Sequence, residues 1–137
     1  MQAASPKVLL GAFLFSPSLA RFIGQDYEAL GDYLDIAWPM IYTSGKSAAC
    51  LNAEILGLVR SISKINTKIG RPDILKATSM RLGIRKRSLP RAIQELDRKG
   101  LPAEIVKTET QFSKSKLRQG LPVVPILMID DMATTFR

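Results

Sequence analysis

The sequence lacks histidine entirely and contains one cysteine, Cys50, among its 137 residues. Without histidine, neither Ser-His-Asp nor Cys-His catalysis is possible, and zinc sites that use imidazole ligands are excluded. A single cysteine cannot form a disulfide within the chain. Any catalysis must therefore depend on carboxylates, hydroxyls, tyrosine, lysine or Cys50, and the Cys50 thiol has no base partner visible in the sequence.

Long hydrophobic runs are also missing. The longest apolar runs, 8–15 and 123–129, are too short to span a bilayer as helices. Residues 1–7 have neither the basic start nor the small-residue cleavage site of a secretory signal. No Gly-rich phosphate loop, dinucleotide fingerprint or metal-ligand spacing is present. We therefore expect a soluble, cytoplasmic protein that needs no cofactor and does not bind a membrane.

Positive charge is concentrated in one part of the chain. The whole chain carries +8, whereas residues 60–118 alone contain 16 basic and five acidic residues, a net +11. These basic side chains fall on helical patterns, so they form either solvated helix faces or a surface for nucleic acid or another polyanion. Because no aromatic residue lies between Arg60 and Lys107, base stacking has no support there. The densest candidates for phosphate contact are Arg81, Arg85, Lys86, Arg87 and Arg91.

Four segments have the composition and length of strands, and helical patterns separate them. The strand candidates are 8–15, 34–42, 103–108 and 123–129. The last two each follow a glycine and a Leu-Pro step, which indicates the same helix-to-strand connection twice. Alternating strands and helices predict an α/β domain with a parallel sheet that spans 1–137.

Three short motifs occur in order along the first two strand candidates. They are Gly11–Ser18, Gly24–Tyr27 and Pro39–Tyr42, and the stretch Ala48–Glu54 follows them. In this order and spacing they resemble the second half of glycoside-hydrolase-like (β/α)8 barrel proteins of poorly characterised function. The resemblance covers 7–56 and implies half of a (β/α)8 TIM-type barrel, with about four parallel strands and covering helices.

The length of the chain departs from that family. A complete (β/α)8 barrel takes about 250 residues, whereas this sequence has 137. A half-barrel would expose sheet edges and an apolar face. We therefore expect self-association, or association with a missing N-terminal half-barrel.

Two carboxylates are the candidates for catalysis. Glu109 follows the third strand candidate and Asp130 follows the fourth, so in a parallel sheet they would lie at adjacent strand ends. A glycosidase needs one carboxylic acid to protonate the leaving oxygen and a second carboxylate as nucleophile or base. The alternative is that both are solvated loop acids.

Six further residues are candidates for substrate binding, either from their place in the motifs or at strand ends. Asp26 could bind sugar hydroxyls, and Trp38 and Tyr42 could stack on a sugar ring. Structural alternatives remain open: helix N-caps for Ser16 and Asp26, core packing for Trp38, and a surface position for Glu54. The full set is Ser16, Asp26, Tyr27, Trp38, Tyr42 and Glu54.

Two functional hypotheses follow from these residues. The first is a carbohydrate-active, glycoside-hydrolase-like protein that binds or hydrolyses glycans through carboxylates. The second is a non-catalytic module whose basic segment 60–118 contacts nucleic acid or another polyanion. The resemblance favours the first for the fold, but no motif decides whether the chain is an enzyme.

Overall fold

The computed structural model describes residues 8–84 and 92–128 as a mixed α/β fold. These residues form two strands, six α-helices and one turn of 3-10 helix at Arg21–Ile23. In chain order the elements are β1 (Gly11–Phe15), α1 (Pro17–Ala20), α2 (Tyr27–Gly31), β2 (Ile36–Met40), α3 (Leu51–Ile65), α4 (Arg71–Arg81), α5 (Ile93–Lys99) and α6 (Glu104–Lys116).

The two strands are parallel and pair in register from Gly11 opposite Ile36 to Phe15 opposite Met40. Segment 122–126 runs beside the other edge of β2 but forms only isolated bridges, at Ala37–Val123 and Met40–Ile126. Pro122 and Pro125 lie in this segment, and a proline has no N–H for a ladder. The described sheet is therefore two-stranded, with a third segment held to it by a few backbone hydrogen bonds.

The expected half-barrel with four strands is wrong. Candidate 103–108 lies within or beside helix α6, and candidate 123–129 forms bridges without becoming a strand. Helix formation at 104 has a clear cause, because Ile105, Glu109 and Ser113 recur every fourth residue and all three are buried. The Leu-Pro step at 101–102 thus leads into a helix, although the similar step at 121–122 leads into extended chain.

Pro39 does not interrupt β2, because the main-chain nitrogen and carbonyl of Pro39 face away from β1. The carbonyl of Pro39 accepts from the N–H of Ile126 at 2.8 Å, whereas the N–H of Ile36 donates towards Leu10 of the β1 side at 3.4 Å. Since alternate residues of a strand face opposite neighbours, the missing N–H of Pro39 costs nothing in the β1–β2 ladder. The proline therefore marks the edge that faces segment 122–126.

Two apolar clusters hold the fold together, and Phe15 packs against both. One cluster joins α3, α4, α5 and the start of α6, with Leu51, Ile55 and Leu96 fully buried. The second lies between one face of the sheet, helices α1 and α2, and the chain that follows α6. Its members are Leu14, Ala20, Tyr27, Leu34, Ala37, Leu117 and Leu121.

Helix α3 is shorter than the sequence pattern predicts. An apolar stripe with alternating spacings of four and three residues predicts a helix as far as Ile69, and its members are Leu51, Ile55, Leu58, Ile62, Ile65 and Ile69. The helix ends at Ile65. Ile62, Ile65 and Ile69 are exposed, whereas Leu51 and Ile55 are buried. The stripe therefore contacts the core only along the first half of α3. None of the helices formed by residues 8–84 and 92–128 is long and apolar enough to cross a membrane.

Candidate functional site

Glu109 lies inside helix α6 instead of following a strand, which removes the basis for its predicted position. Its side chain is buried, with only 2% of the residue exposed. Oε2 of Glu109 accepts a hydrogen bond of 3.1 Å from the backbone N–H of Ser18 in α1. Burial raises the pKa of this carboxyl, and the hydrogen bond from the Ser18 N–H opposes that rise in part. Glu109 therefore connects two helices, and the described residues enclose its side chain almost completely.

The second member of the predicted catalytic pair, Asp130, lies outside the described residues. The pairing of Glu109 with Asp130 consequently stays a prediction. Tyr27 is an ionisable group that the structure brings close to Glu109. Burial raises the pKa of Tyr27, and the Glu109 charge adds to that rise. Both groups are therefore driven towards their neutral forms.

The Gly24–Tyr27 segment binds the end of β1. Oε1 of Gln25 accepts from the N–H of Phe15 at 2.8 Å, and the hydroxyl of Tyr27 donates to the carbonyl of Phe15 at 2.5 Å. Asp26 caps helix α2, because its Oδ1 accepts from the N–H groups of Glu28 and Ala29 at 3.0 and 3.3 Å. The structural alternative for Asp26 thus agrees with the geometry. The role of Gln25 is not apparent from sequence patterns.

Ser16 is fully buried and belongs to the same strand end. Its hydroxyl donates to the carbonyl of Met40 at 2.8 Å, which ties the end of β1 to the end of β2. The serine precedes helix α1 but makes no side-chain hydrogen bond to it. The expected N-cap interaction is therefore absent, and the hydroxyl instead hydrogen-bonds to the end of β2.

Trp38 and Tyr42 lie on or just after β2 and are both partly exposed. The indole of Trp38 covers Gly11, where any side chain would overlap it, and stacks on Phe13 with ring centroids 5.4 Å apart. The carbonyl of Tyr42 accepts from the N–H of Leu51 at 2.8 Å. Trp38 thus covers one face of the sheet, and the main chain of Tyr42 positions the start of α3.

Glu54 stabilises the turn that precedes its own helix. Its Oε1 accepts from the N–H of Ala49 at 3.3 Å, and Ala49 has a left-handed backbone with φ of 68°. Because such a conformation is costly for alanine, this hydrogen bond helps to hold the turn. The interaction gives Glu54 a structural task at the start of α3.

A small cleft lies where α1 and α2 meet α6. Its volume is about 20 Å³, enough for about one water molecule and too small to enclose a sugar ring. Lys116 and Glu28 lie at its wall and form an ion pair of 2.8 Å. Within residues 8–84 and 92–128, no three cysteine or acidic side chains converge as metal ligands would.

Exposed basic residues are concentrated on the helical hairpin formed by α3, α4 and their connection. Residues 60–84 contain six basic residues and one acidic residue, Asp73. All six basic residues are exposed, and none of their side chains forms a hydrogen bond or ion pair with any described residue. We call this set the hairpin basic surface: Arg60, Lys64, Lys68, Arg71, Lys76 and Arg81.

The sequence-based cluster and the hairpin basic surface overlap at one residue, Arg81. The others, Arg85, Lys86, Arg87 and Arg91, lie outside the described residues. The signal that could have located the hairpin basic surface is the spacing of Arg60 and Lys64, one turn apart and opposite the buried side of α3. Ile62 and Ile65 hide this signal, because their place in the apolar stripe suggests that this end of α3 is buried, whereas both are exposed.

Several basic residues elsewhere have partners within the fold. Lys99 pairs with Glu95 at 3.2 Å, and Lys116 pairs with Glu28. Arg118 donates to the carbonyls of Gly31 and Leu34 at 3.3 and 3.0 Å. The hairpin basic surface differs from these residues because its charges stabilise no described contact.

The chain matches no protein-family model, no curated protein and no solved structure.

Proposed function

We propose that this protein is a non-catalytic module that binds nucleic acid through the phosphate backbone. The observation that carries this proposal is the hairpin basic surface, with six exposed cations that have no partner among the described residues. Side chains that stabilise nothing within the fold can contact phosphates without first breaking an internal ion pair. Several such cations on one hairpin provide the electrostatic footprint that phosphate binding needs.

The chemistry of the surface favours contact with phosphates over contact with bases. No aromatic residue occurs between Arg60 and Lys107, so this surface offers no ring for base stacking. Lysine supplies three of the six cations and acts as a point charge towards phosphate. Binding should therefore depend weakly on sequence and strongly on salt.

The glycan hypothesis stays a prediction, and the geometry gives it less support. Glu109 is enclosed between α6 and α1, where it accepts from the Ser18 N–H. Ser16, Asp26, Tyr27 and Glu54 each have a hydrogen-bonding task within the fold. Trp38 and Tyr42 remain the residues that could contact a sugar ring.

The test measures binding of fluorescein-labelled single-stranded RNA and duplex DNA by anisotropy as the salt concentration increases. If all six cations contact phosphates of the duplex, log K should fall against log salt with a slope of about −5. Affinity should then drop about a thousandfold between roughly 50 and 200 mM salt. Replacing Lys64 and Lys68 by alanine should reduce the magnitude of that slope by about 2.

A matched double variant tests whether the site is local. Lys107 and Lys114 are exposed on α6 and have no ion pair with a described residue. Replacing both by alanine lowers the net charge by the same two units but should leave the slope unchanged. Affinity that does not vary with salt, or equal losses in the two double variants, would overturn the proposed interface.

A further inference from the structure

The outer edge of β1 has a defined set of backbone hydrogen-bonding groups. In the ladder the N–H of Ile36 donates to the carbonyl of Leu10, and Gly11 pairs in register with Ile36. Because alternate residues of a strand face opposite neighbours, Leu10, Ala12 and Leu14 face β2. The N–H and C=O groups of Gly11, Phe13 and Phe15 consequently face away from it.

Among the described residues, side chains hydrogen-bond to the main chain of this edge only at its far end, at Phe15. Both outward groups of Phe15 have partners, Gln25 for the N–H and Tyr27 for the carbonyl. No comparable side chain among the described residues binds the main chain of Gly11 or Phe13. An unpaired edge of this kind is a template for another strand. The open part of the edge therefore ends at Phe13.

We propose that β1 of a second copy of this chain pairs with this edge, antiparallel and about a two-fold axis at Ala12. In that register Gly11 of each copy lies opposite Phe13 of the other, and each pair exchanges two hydrogen bonds. The resulting four bonds satisfy all the outward groups that the Gln25 and Tyr27 side chains leave open. The proposal is independent of nucleic-acid binding and makes the expected self-association specific.

The side chains of the edge favour a second copy as the partner. Residues 8–15 contain no charged side chain, so two copies meet without repulsion. Phe13 is 62% exposed and would lie across from Gly11 of the second copy, where the Trp38 indole that covers Gly11 offers an apolar surface to the ring. Each strand thus supplies both the exposed ring and the apolar surface that it contacts, as a two-fold contact requires.

Size-exclusion chromatography with light scattering tests the assembly. The full chain should have about twice its chain mass of 15.1 kDa, and Phe13→Lys should reduce it to one chain mass, because a lysine on an edge opposes pairing. Phe22, which is 63% exposed and lies outside the sheet, provides the matched control Phe22→Lys. This control should remain dimeric. A monomeric full chain, larger assemblies, or a dimer unaffected by Phe13→Lys would overturn the proposal.

Cysteine cross-linking tests the register, through the ratio of rates for two positions on the same strand. Ala12 would face Ala12 of the second copy as a non-hydrogen-bonded pair, with Cα atoms about 4.5 Å apart, which suits a disulfide. Leu10 is 53% exposed, but its two copies would lie about 13 Å apart along the strands. Ala12→Cys should therefore cross-link at least tenfold faster than Leu10→Cys under mild oxidation. Equal rates, or faster cross-linking of Leu10→Cys, would exclude this register.

Discussion

The backbone N–H of Ser18 donates to Oε2 of Glu109 at 3.1 Å, although 91 positions separate the two residues along the chain. Ser18 lies in the first turn of α1, where N–H groups have no partner within the helix. Glu109 thus caps a helix that belongs to a distant part of the sequence. The capping links α6 to the strand end where Ser16, Gln25 and Tyr27 hold the backbone.

Replacing Glu109 by glutamine should change how stability depends on pH. Burial raises the folded-state pKa of Glu109 above its ordinary value of 4.5. Its contribution to stability is therefore complete below that value and is lost as the pH rises through the folded-state pKa. Glutamine keeps an acceptor for the Ser18 N–H without the charge. In urea unfolding, Glu109→Gln should match the parent at low pH and be more stable above neutral pH.

The control for this measurement is Glu104→Gln. Glu104 is an exposed acid in the first turn of the same helix. This variant should keep the parent's pH dependence, apart from a small loss because an acid near a helix N-terminus is stabilising. If Glu109→Gln had the same pH dependence of stability as the parent, burial of the Glu109 carboxyl would not be its cause.

Removing the Tyr27 hydroxyl should destabilise the strand end. In Tyr27→Phe the carbonyl of Phe15 loses its donor in a partly buried place, which costs about 1 kcal/mol. Tyr33, 75% exposed, provides the control Tyr33→Phe, which should change the unfolding free energy by less than about 0.5 kcal/mol. Equal effects of the two variants in chemical denaturation would contradict the role of the Tyr27 hydroxyl.

The sequence predicts the first third of the fold well because its signals there are local. Strands β1 and β2 lie inside candidates 8–15 and 34–42, and Asp26 has the N-cap position that its place before a helix favours. An apolar run that ends in Ser-Pro stops a strand by short-range chemistry. Such features depend on neighbouring residues alone, which a sequence displays directly.

Glu109 could not be placed from the sequence, because its environment is formed by distant residues. The stretch 103–108 has β-branched residues at 105, 106 and 108, which favour a strand. Helix formation depends instead on burial of Ile105, Glu109 and Ser113 against other elements, and a buried acid does not contribute to an apolar pattern. Tertiary contacts therefore overrode local propensity at α6.

Gly100→Ala should destabilise the end of α5 more than a left-handed backbone alone would. Gly100 has φ of 73°, and a Cβ there would overlap the carbonyl oxygen of Thr43. Gly83 has nearly the same φ, 76°, but no atom near the position of a Cβ. Gly83→Ala should cost about 1–2 kcal/mol from backbone strain. Gly100→Ala should cost about 1–3 kcal/mol more from overpacking, and its ψ of −156° adds strain because essentially only glycine adopts that conformation. Equal losses in the melting curves would show that Thr43 moves aside freely.

Alanine variants of Arg118 and Lys64 should distinguish basic residues that stabilise the fold from basic residues that bind nucleic acid. Arg118→Ala removes donors to the carbonyls of Gly31 and Leu34, so we expect a loss of about 1–2 kcal/mol of stability with RNA affinity unchanged. Arg118→Lys keeps the charge but loses the planar guanidinium group, and it should be nearly as unstable as Arg118→Ala.

Lys64→Ala should have the opposite effect on the two quantities, because the Lys64 ammonium has no described partner. It should keep the stability while lowering the magnitude of the salt slope by about 1. If both alanine variants lowered affinity equally, net charge would account for binding and the hairpin basic surface would have no special role.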